Sequence, residues 1–184
     1  SISGLSEKII LSHQENNYSG AVRRYNAITD QLAASDFASA PNFALNGLKR
    51  EQLIALNSAI LHEVYFASLG AGGAPEGALA SAMARDFGSV ERWQAEFAAM
   101  GKALGGGSGW VLLSYSPRLA RLVNLWAADH AHTGADAVPI LALDMYEHAY
   151  HMDYGAKAAA YVDAFMATIN WPGVAARYTA AVRS

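Results

Sequence analysis

The residues best placed to do chemistry in this chain are its six histidines: His13, His62, His130, His132, His148 and His151. The chain has no cysteine, so any bound metal must be held by nitrogen and oxygen donors. Disulfides, thiolate clusters and cysteine nucleophiles are excluded for the same reason. Asp144 closes the apolar run AVPILALD, and His148 follows four residues later. At that spacing one helical turn returns the imidazole to the carboxylate. A carboxylate at the end of a buried segment must be paired or bound, because an isolated buried charge is very costly. An Asp–His hydrogen bond that merely caps the next helix satisfies that need equally well.

His13 and His62 lie in the middle of two helical stretches. His62 shares its helical face with Ala55, Ser58, Tyr65, Phe66 and Leu69. Small and aromatic neighbours desolvate the ring and favour the neutral form that a metal ligand needs. Three imidazoles and one carboxylate suit Mn, Fe, Co, Ni or Zn. A catalytic zinc site commonly has a general base beside it, and none stands out here.

These side chains need elements to position them. A first helix is expected from Ser6 to about Leu32, where Ile9, Ile10, His13, Ala21 and Ile28 recur at helical spacing. The turn-forming stretch SDFASAPNFALNG then breaks the chain. A second helix is expected from about Leu48 to Leu69, with Leu53, Leu56, Ile60 and Val64 as its apolar stripe and Gly70 as its stop. Two helices joined by a compact turn suggest an antiparallel hairpin. GALASAMARDFG and SVERWQAEFAAMGKAL read as two further helices, the second capped by Ser89. WVLLSYS and LARLVNLWA, separated by Pro117 and Arg118, read as a β-hairpin. AVPILALD is apolar on both faces, which predicts a central strand. Helices around AKAAAYVDAFMATINW and PGVAARYTAAV end the chain, with Pro172 near a helix start.

Composition sets outer bounds. With 184 residues, 53% hydrophobic and 16% charged, the chain suits one large domain or two small layers sharing a core. A net charge of −3 argues against nucleic acid, since a polyanion binder presents a basic face. No apolar run approaches the ~18 residues of a membrane span. No signal peptide is visible at SISGLSEKII, so the cytoplasm is the expected compartment.

The run LDMYEHAYHMDY resembles the signature of the iron/manganese superoxide dismutases, in which a D-x-W-E-H-A-Y segment supplies Asp and His ligands. The likeness extends in collinear order. Gly105–Trp110 resembles the family's G-S-G-W segment, Ile169, Asn170 and Trp171 its V-N-W, and Phe87, Gly88 and Ser89 its F-G-S turn. The resemblance, with the element order above, implies an α+β fold: an N-terminal antiparallel helical hairpin over 1–72, then a C-terminal domain over 73–184 with a three-stranded antiparallel sheet packed by helices.

What the resemblance implies for the site is specific. His13, His62, Asp144 and His148 would hold one iron or manganese ion, with a water or hydroxide as fifth ligand. Glu147 would bridge to His148 of a second subunit, making a homodimer part of the site. His130 matches the loop position where the family places a Gln or His that hydrogen-bonds the bound solvent, and Ser58 is too short for the alternative Gln position. Several positions depart from the pattern. Where the family reads H-x-x-x-H-H-x-x-Y from its first ligand, this chain has His13, Asn17, Tyr18 and Ala21. The gateway Tyr is therefore Ala21, unless Tyr18 reaches in. The signature Trp is Tyr146, whose hydroxyl is a second candidate to replace the missing one. The family's Tyr–His pair across the dimer becomes His151 and Asn17.

The implied function is superoxide dismutation by alternating metal valence. The rival reading is a slow or non-catalytic metal-binding relative of the same fold, and a two-His-one-carboxylate oxygenase is weaker because a third His closes the open face. Trp93 and Trp126 read as core or interface, and His132 as an exposed loop residue. Arg23, Arg24, Lys49 and Arg50 read as solvated helix ends that could also steer an anion.

Overall fold

A computed structural model describes residues 1–184. Ser6 caps the first helix: its hydroxyl accepts from the Ile9 N–H at 3.1 Å. The expected long helix is three segments end to end, α1 (Glu7–Ser12), a π-helical stretch (His13–Tyr18) and α2 (Ser19–Ala33). The widened π turn, rare and common at functional sites, begins at His13. Periodicity alone gave no sign of it.

The second helix, α3 (Asn42–Ala67), starts earlier than expected, inside the stretch read as a break. Pro41 is extended and its carbonyl accepts the first helical N–H groups, from Ala44 and Leu45, so a residue read as a breaker instead starts the helix. The stripe read as its core face is also corrected. Leu53 and Ile60 are 48% and 41% exposed, while Ala55, Ser58, Ala59, Leu61, His62 and Tyr65 are buried. This helix is apolar around much of its circumference, so hydrophobicity does not single out a face. The face turned inward is set by packing against neighbouring elements, α2 among them. In that packing α2 and α3 form the expected helical hairpin.

α4 (Gly77–Phe87) and α5 (Val90–Ala103) meet at the F-G-S turn. Gly88 takes φ +93°, which favours glycine. The Ser89 hydroxyl accepts from Arg92 N–H, capping α5 as expected. β1 (Trp110–Ser116) and β2 (Arg121–Ala127) form the expected hairpin, and β3 (Val138–Asp144) pairs antiparallel with the other side of β1. The strand order is β2-β1-β3, so β1 is central and β3 lies at the edge, contrary to expectation. β3 is apolar on both faces because α3 and α8 (Trp171–Arg183) pack against it. Its pattern reports helical cover, not position in the sheet.

Gly109 explains the G-S-G-W segment. Its φ is +129°, and a side chain there would strike the Ala127 carbonyl oxygen. Only glycine lets the chain turn this closely into β1. A short 3-10 turn (Glu147–Ala149) and α6 (His151–Tyr154) follow β3, then α7 (Ala158–Ala167). Asn170 joins the end of α3 to the start of α8. Its side chain accepts from Gly173 N–H, its amide donates to Ala67 O, and its N–H donates to Ser68 O at 2.7 Å. Trp93 lies fully in the core, whereas Trp126 is 56% exposed and is no core residue. No helix is long and apolar enough to cross a membrane.

Candidate metal centre

Four elements converge on one point. The π turn brings His13, α3 brings His62, the end of β3 brings Asp144 and the following 3-10 turn brings His148. The pairing of Trp110 with Asp144 fixes that strand end against the Gly109 turn. Asp144 Oδ2 lies 2.9 Å from His13 Nε2, 2.9 Å from His148 Nε2 and 3.4 Å from His62 Nε2. One donor atom from each residue falls within 4.8 Å of every other. Donors bound at about 2.1 Å and at right angles would stand about 3.0 Å apart, so the cluster has the size of a first-row ion's shell.

The hydrogen bonds point the same way. His62 Nδ1 lies 2.6 Å from the Ser58 carbonyl oxygen, which can only accept, so the ring carries its proton there. Nε2 is then a bare lone pair, buried, without a hydrogen-bond partner, and facing a carboxylate oxygen. Two acceptors facing each other in a dry interior are unfavourable unless a cation lies between them. The donor set therefore fits a metal ion.

Burial and charge set the protonation states. Burial drives the His13 pKa down, more than its hydrogen bond to Asp144 raises it. Burial alone would raise Asp144, but the charge of His148 and the hydrogen bonds of His13 and His148 hold it well below the usual carboxylate range. The cluster rests on aromatic walls, with Phe66 5.0 Å and Tyr65 5.2 Å from the His13 ring.

Above the cluster a cavity of about 190 Å³ reaches His62 and His148, with Ser58, Ala21 and His130 in its walls. His130 sits in this wall. Trp110 Nε1–H donates to His130 Nδ1 at 3.0 Å, and burial lowers the His130 pKa to about 4. Tyr146 lies flat between His130 and His148, at centroid separations of 4.5 and 5.2 Å and interplanar angles of 11° and 14°. Its ring takes part in the site, but it does not line the cavity. Tyr18 is not brought in: its hydroxyl donates to Glu63 at 2.7 Å on another face. Ala21 and Asn17 do line the cavity, while His151 is exposed at the start of α6. His132 is exposed, as expected.

Sequence reasoning missed Trp110 as a site residue. It was visible only as part of a motif, and its role depends on β1 lying under the loop that carries His130. Asn16 in the cavity wall had no signal beyond helical spacing from His13, and Arg24, also in that wall, was read only as a solvated helix end that could also steer an anion.

A helical hairpin joined to a three-stranded sheet, with three imidazoles and a carboxylate at the junction, defines the class of mononuclear non-haem metal proteins with an open approach. The sequence pattern described as iron/manganese superoxide dismutases, C-terminal domain, matches residues 75–177. A superoxide dismutase [Fe] of Cupriavidus metallidurans is 73% identical over 182 residues, 99% of this chain and 92% of that protein. A superoxide dismutase [Mn] of Haloferax volcanii is 37% identical over 186 residues, 97% and 89% of the two chains. A superoxide dismutase [Fe] of Aquifex pyrophilus is 33% identical over 191 residues, 100% and 88%. The chain belongs to the iron/manganese superoxide dismutase family.

Proposed function

We propose that this protein disproportionates superoxide to oxygen and hydrogen peroxide, with one iron or manganese ion per subunit held by His13, His62, Asp144 and His148. The observation that carries this reading is the convergence of the four donors around an orphaned His62 nitrogen. An ion held there would supply the one-electron change of valence that the disproportionation needs.

The chain's own residues do the rest. Asp144, fully buried and held in its ionised form, would offset part of the ion's charge. The Ser58 carbonyl aims His62 by holding its far nitrogen. His130 has its proton on Nε2, because Nδ1 accepts from Trp110. It thus offers a donor to a small molecule in the cavity. The cavity admits a diatomic anion to a face of the cluster that the protein does not close, unlike a structural metal site with all positions filled.

The site is completed by a second subunit. His148 is the only one of the four ligands with appreciable exposure, 25% of its side chain, and neighbouring Glu147 is exposed. Both features support a homodimer in which Glu147 accepts from the outer nitrogen of the partner's His148, with His151 and Asn17 meeting across the same interface. The loop Ser68–Glu76 between α3 and α4 supports a division into units 1–72 and 73–184. The test is metal analysis of the purified protein, then a dismutation assay after removal of metal and reloading with iron or manganese. Activity restored by either ion supports the reading. A fully loaded protein without activity overturns it.

A further inference from the structure

We propose that Tyr161 and Tyr65 are positioning residues of the metal centre, two buried phenols that hold the Asp144 backbone in place and tie the two sides of the site together. The inference deepens the function proposed above and rests on its ligand set. Asp144 ends an edge strand, since β3 pairs with β1 on one side and with no strand on the other. Trp110 stands opposite Asp144, and in the next pair along Met145 N–H donates to Gly109 O at 2.9 Å. Hydrogen-bonded and non-hydrogen-bonded pairs alternate along an antiparallel ladder. Trp110 and Asp144 are therefore a non-hydrogen-bonded pair, and the Asp144 carbonyl points away from β1. Asp144 is fully buried, so that carbonyl cannot turn to water and needs a donor from outside the sheet.

Tyr161 on α7 supplies that donor, its hydroxyl 2.7 Å from Asp144 O. A carbonyl only accepts, so the single proton of Tyr161 goes there. The Tyr65 hydroxyl on α3 lies 3.1 Å from the Tyr161 hydroxyl and is then the donor of that second bond. The chain runs from Tyr65 to Tyr161 to Asp144. Both phenols are buried, and phenylalanine would fill the same volume without a polar atom to satisfy. The Tyr65 ring also lies 5.2 Å from the His13 ring. Phe165 stacks on Tyr65 and Tyr150 stacks on Tyr161, so neither phenol is free to swing.

The consequence falls on the ligands. His13 and His62 come from the helical hairpin, Asp144 and His148 from the end of the sheet and the turn after it. The phenol chain crosses that junction from α3 to β3. It holds Asp144 by its backbone, while Tyr146 N–H holds the carboxylate Oδ1 at 2.9 Å. Oδ2 is left facing the three imidazoles. Asp144 is the one anion among the four ligands, so a shift of its backbone changes the charge and geometry offered to the ion more than a shift of any neutral ring. Partners that orient a ligand in this way tune the metal it holds.

The experiment compares wild type with Tyr161→Phe, Tyr65→Phe and Tyr150→Phe, each with its thermal midpoint checked. Tyr150→Phe is the control: it keeps a stacked ring and loses a hydroxyl that accepts from Gly106 N–H instead. In metal-free protein, hydrogen exchange of the Tyr146 amide should be about five- to hundredfold faster in Tyr161→Phe, the range that follows from leaving a buried acceptor unpaired. Tyr65→Phe should show a smaller rise and Tyr150→Phe none. In iron-loaded protein, Tyr161→Phe should change the rhombic splitting of the ferric electron paramagnetic resonance signal and weaken iron retention against a chelator about tenfold or more. Tyr150→Phe should match wild type in both. Wild-type amide exchange and iron signal in Tyr161→Phe, or the same changes in Tyr150→Phe, would overturn the proposal. Amide and iron effects as expected in a protein that does not dismutate superoxide would support the phenol pair and overturn the catalytic reading instead.

Discussion

Trp110 donates its indole N–H to Nδ1 of His130 at 3.0 Å, and that bond decides which nitrogen of His130 carries the proton. With Nδ1 accepting, the hydrogen sits on Nε2. A Trp at the start of the central strand thus sets the donor character of a loop residue 20 positions away.

The first prediction follows from that bond. In Trp110→Phe the ring wall survives and the donor is lost. Nitrogen chemical shifts of His130 should show the Nε2–H form alone in wild type and a mixture of tautomers in the variant. Stability should fall by about 1–3 kcal/mol, the cost of leaving a buried acceptor unpaired, and dismutation should slow. A single unchanged tautomer in Trp110→Phe would show that the indole does not set it.

Tyr146 and Tyr18 should part company. Tyr146 acts through its flat ring between His130 and His148, so Tyr146→Phe should keep activity within about twofold. Tyr146→Ala should lose the two stacked contacts, each about 0.5–1.5 kcal/mol beyond simple burial, and lower both activity and metal retention. Tyr18→Phe should match wild type in the same assay, since its hydroxyl is spent on Glu63.

Metal should stabilise the fold. At free metal a hundredfold above its dissociation constant, binding contributes about 2.7 kcal/mol, a rise of roughly 5–10 °C in melting midpoint for a chain of this size. Chelation should lower the midpoint by that amount and reloading should restore it. In Asp144→Asn the loaded and stripped samples should melt together.

The metal-free protein should weaken in mild acid. His13 and His130 have folded pKa values below the ordinary 6.5, His130 at about 4, both mainly through burial. Between those values the unfolded chain binds protons that the folded chain refuses, so stability falls as pH drops from 6.5 toward 4. Asp144, held well below the usual carboxylate range, keeps its stabilising charge across this window and gives it up only at lower pH. Denaturant midpoints of stripped protein from pH 7 to 4 should show the decline, and His130→Gln should make it shallower.

The proposed dimer has its own test. Glu147→Ala should lower metal content and shift sedimentation toward the monomer together, because one carboxylate would serve both. A variant that stays dimeric and fully loaded would remove the bridge from the account.

Much of this was legible in the chain itself. Missing cysteines restricted any metal to imidazole and carboxylate donors. The four-residue step from Asp144 to His148, at the end of an apolar run, marked a buried charge in need of partners. Local rules also held at Ser6, Ser89 and Pro172, because caps and helix starts depend on neighbours within one turn. The tertiary structure decided what depends on distant neighbours. β3 lies at the edge of the sheet yet has helices on both faces, so its own apolar pattern cannot distinguish that place from a central one. α3 turned the side with His62 inward and left Leu53 and Ile60 exposed, because its apolar residues spread around much of its circumference and only the elements it packs against select a face. The tautomers of His62 and His130 were set by Ser58 and Trp110, since a histidine's proton goes to whichever nitrogen finds an acceptor. Tyr18 and Tyr146 exchanged weight for a similar reason: side-chain direction depends on how elements cross, and no spacing along the chain records it.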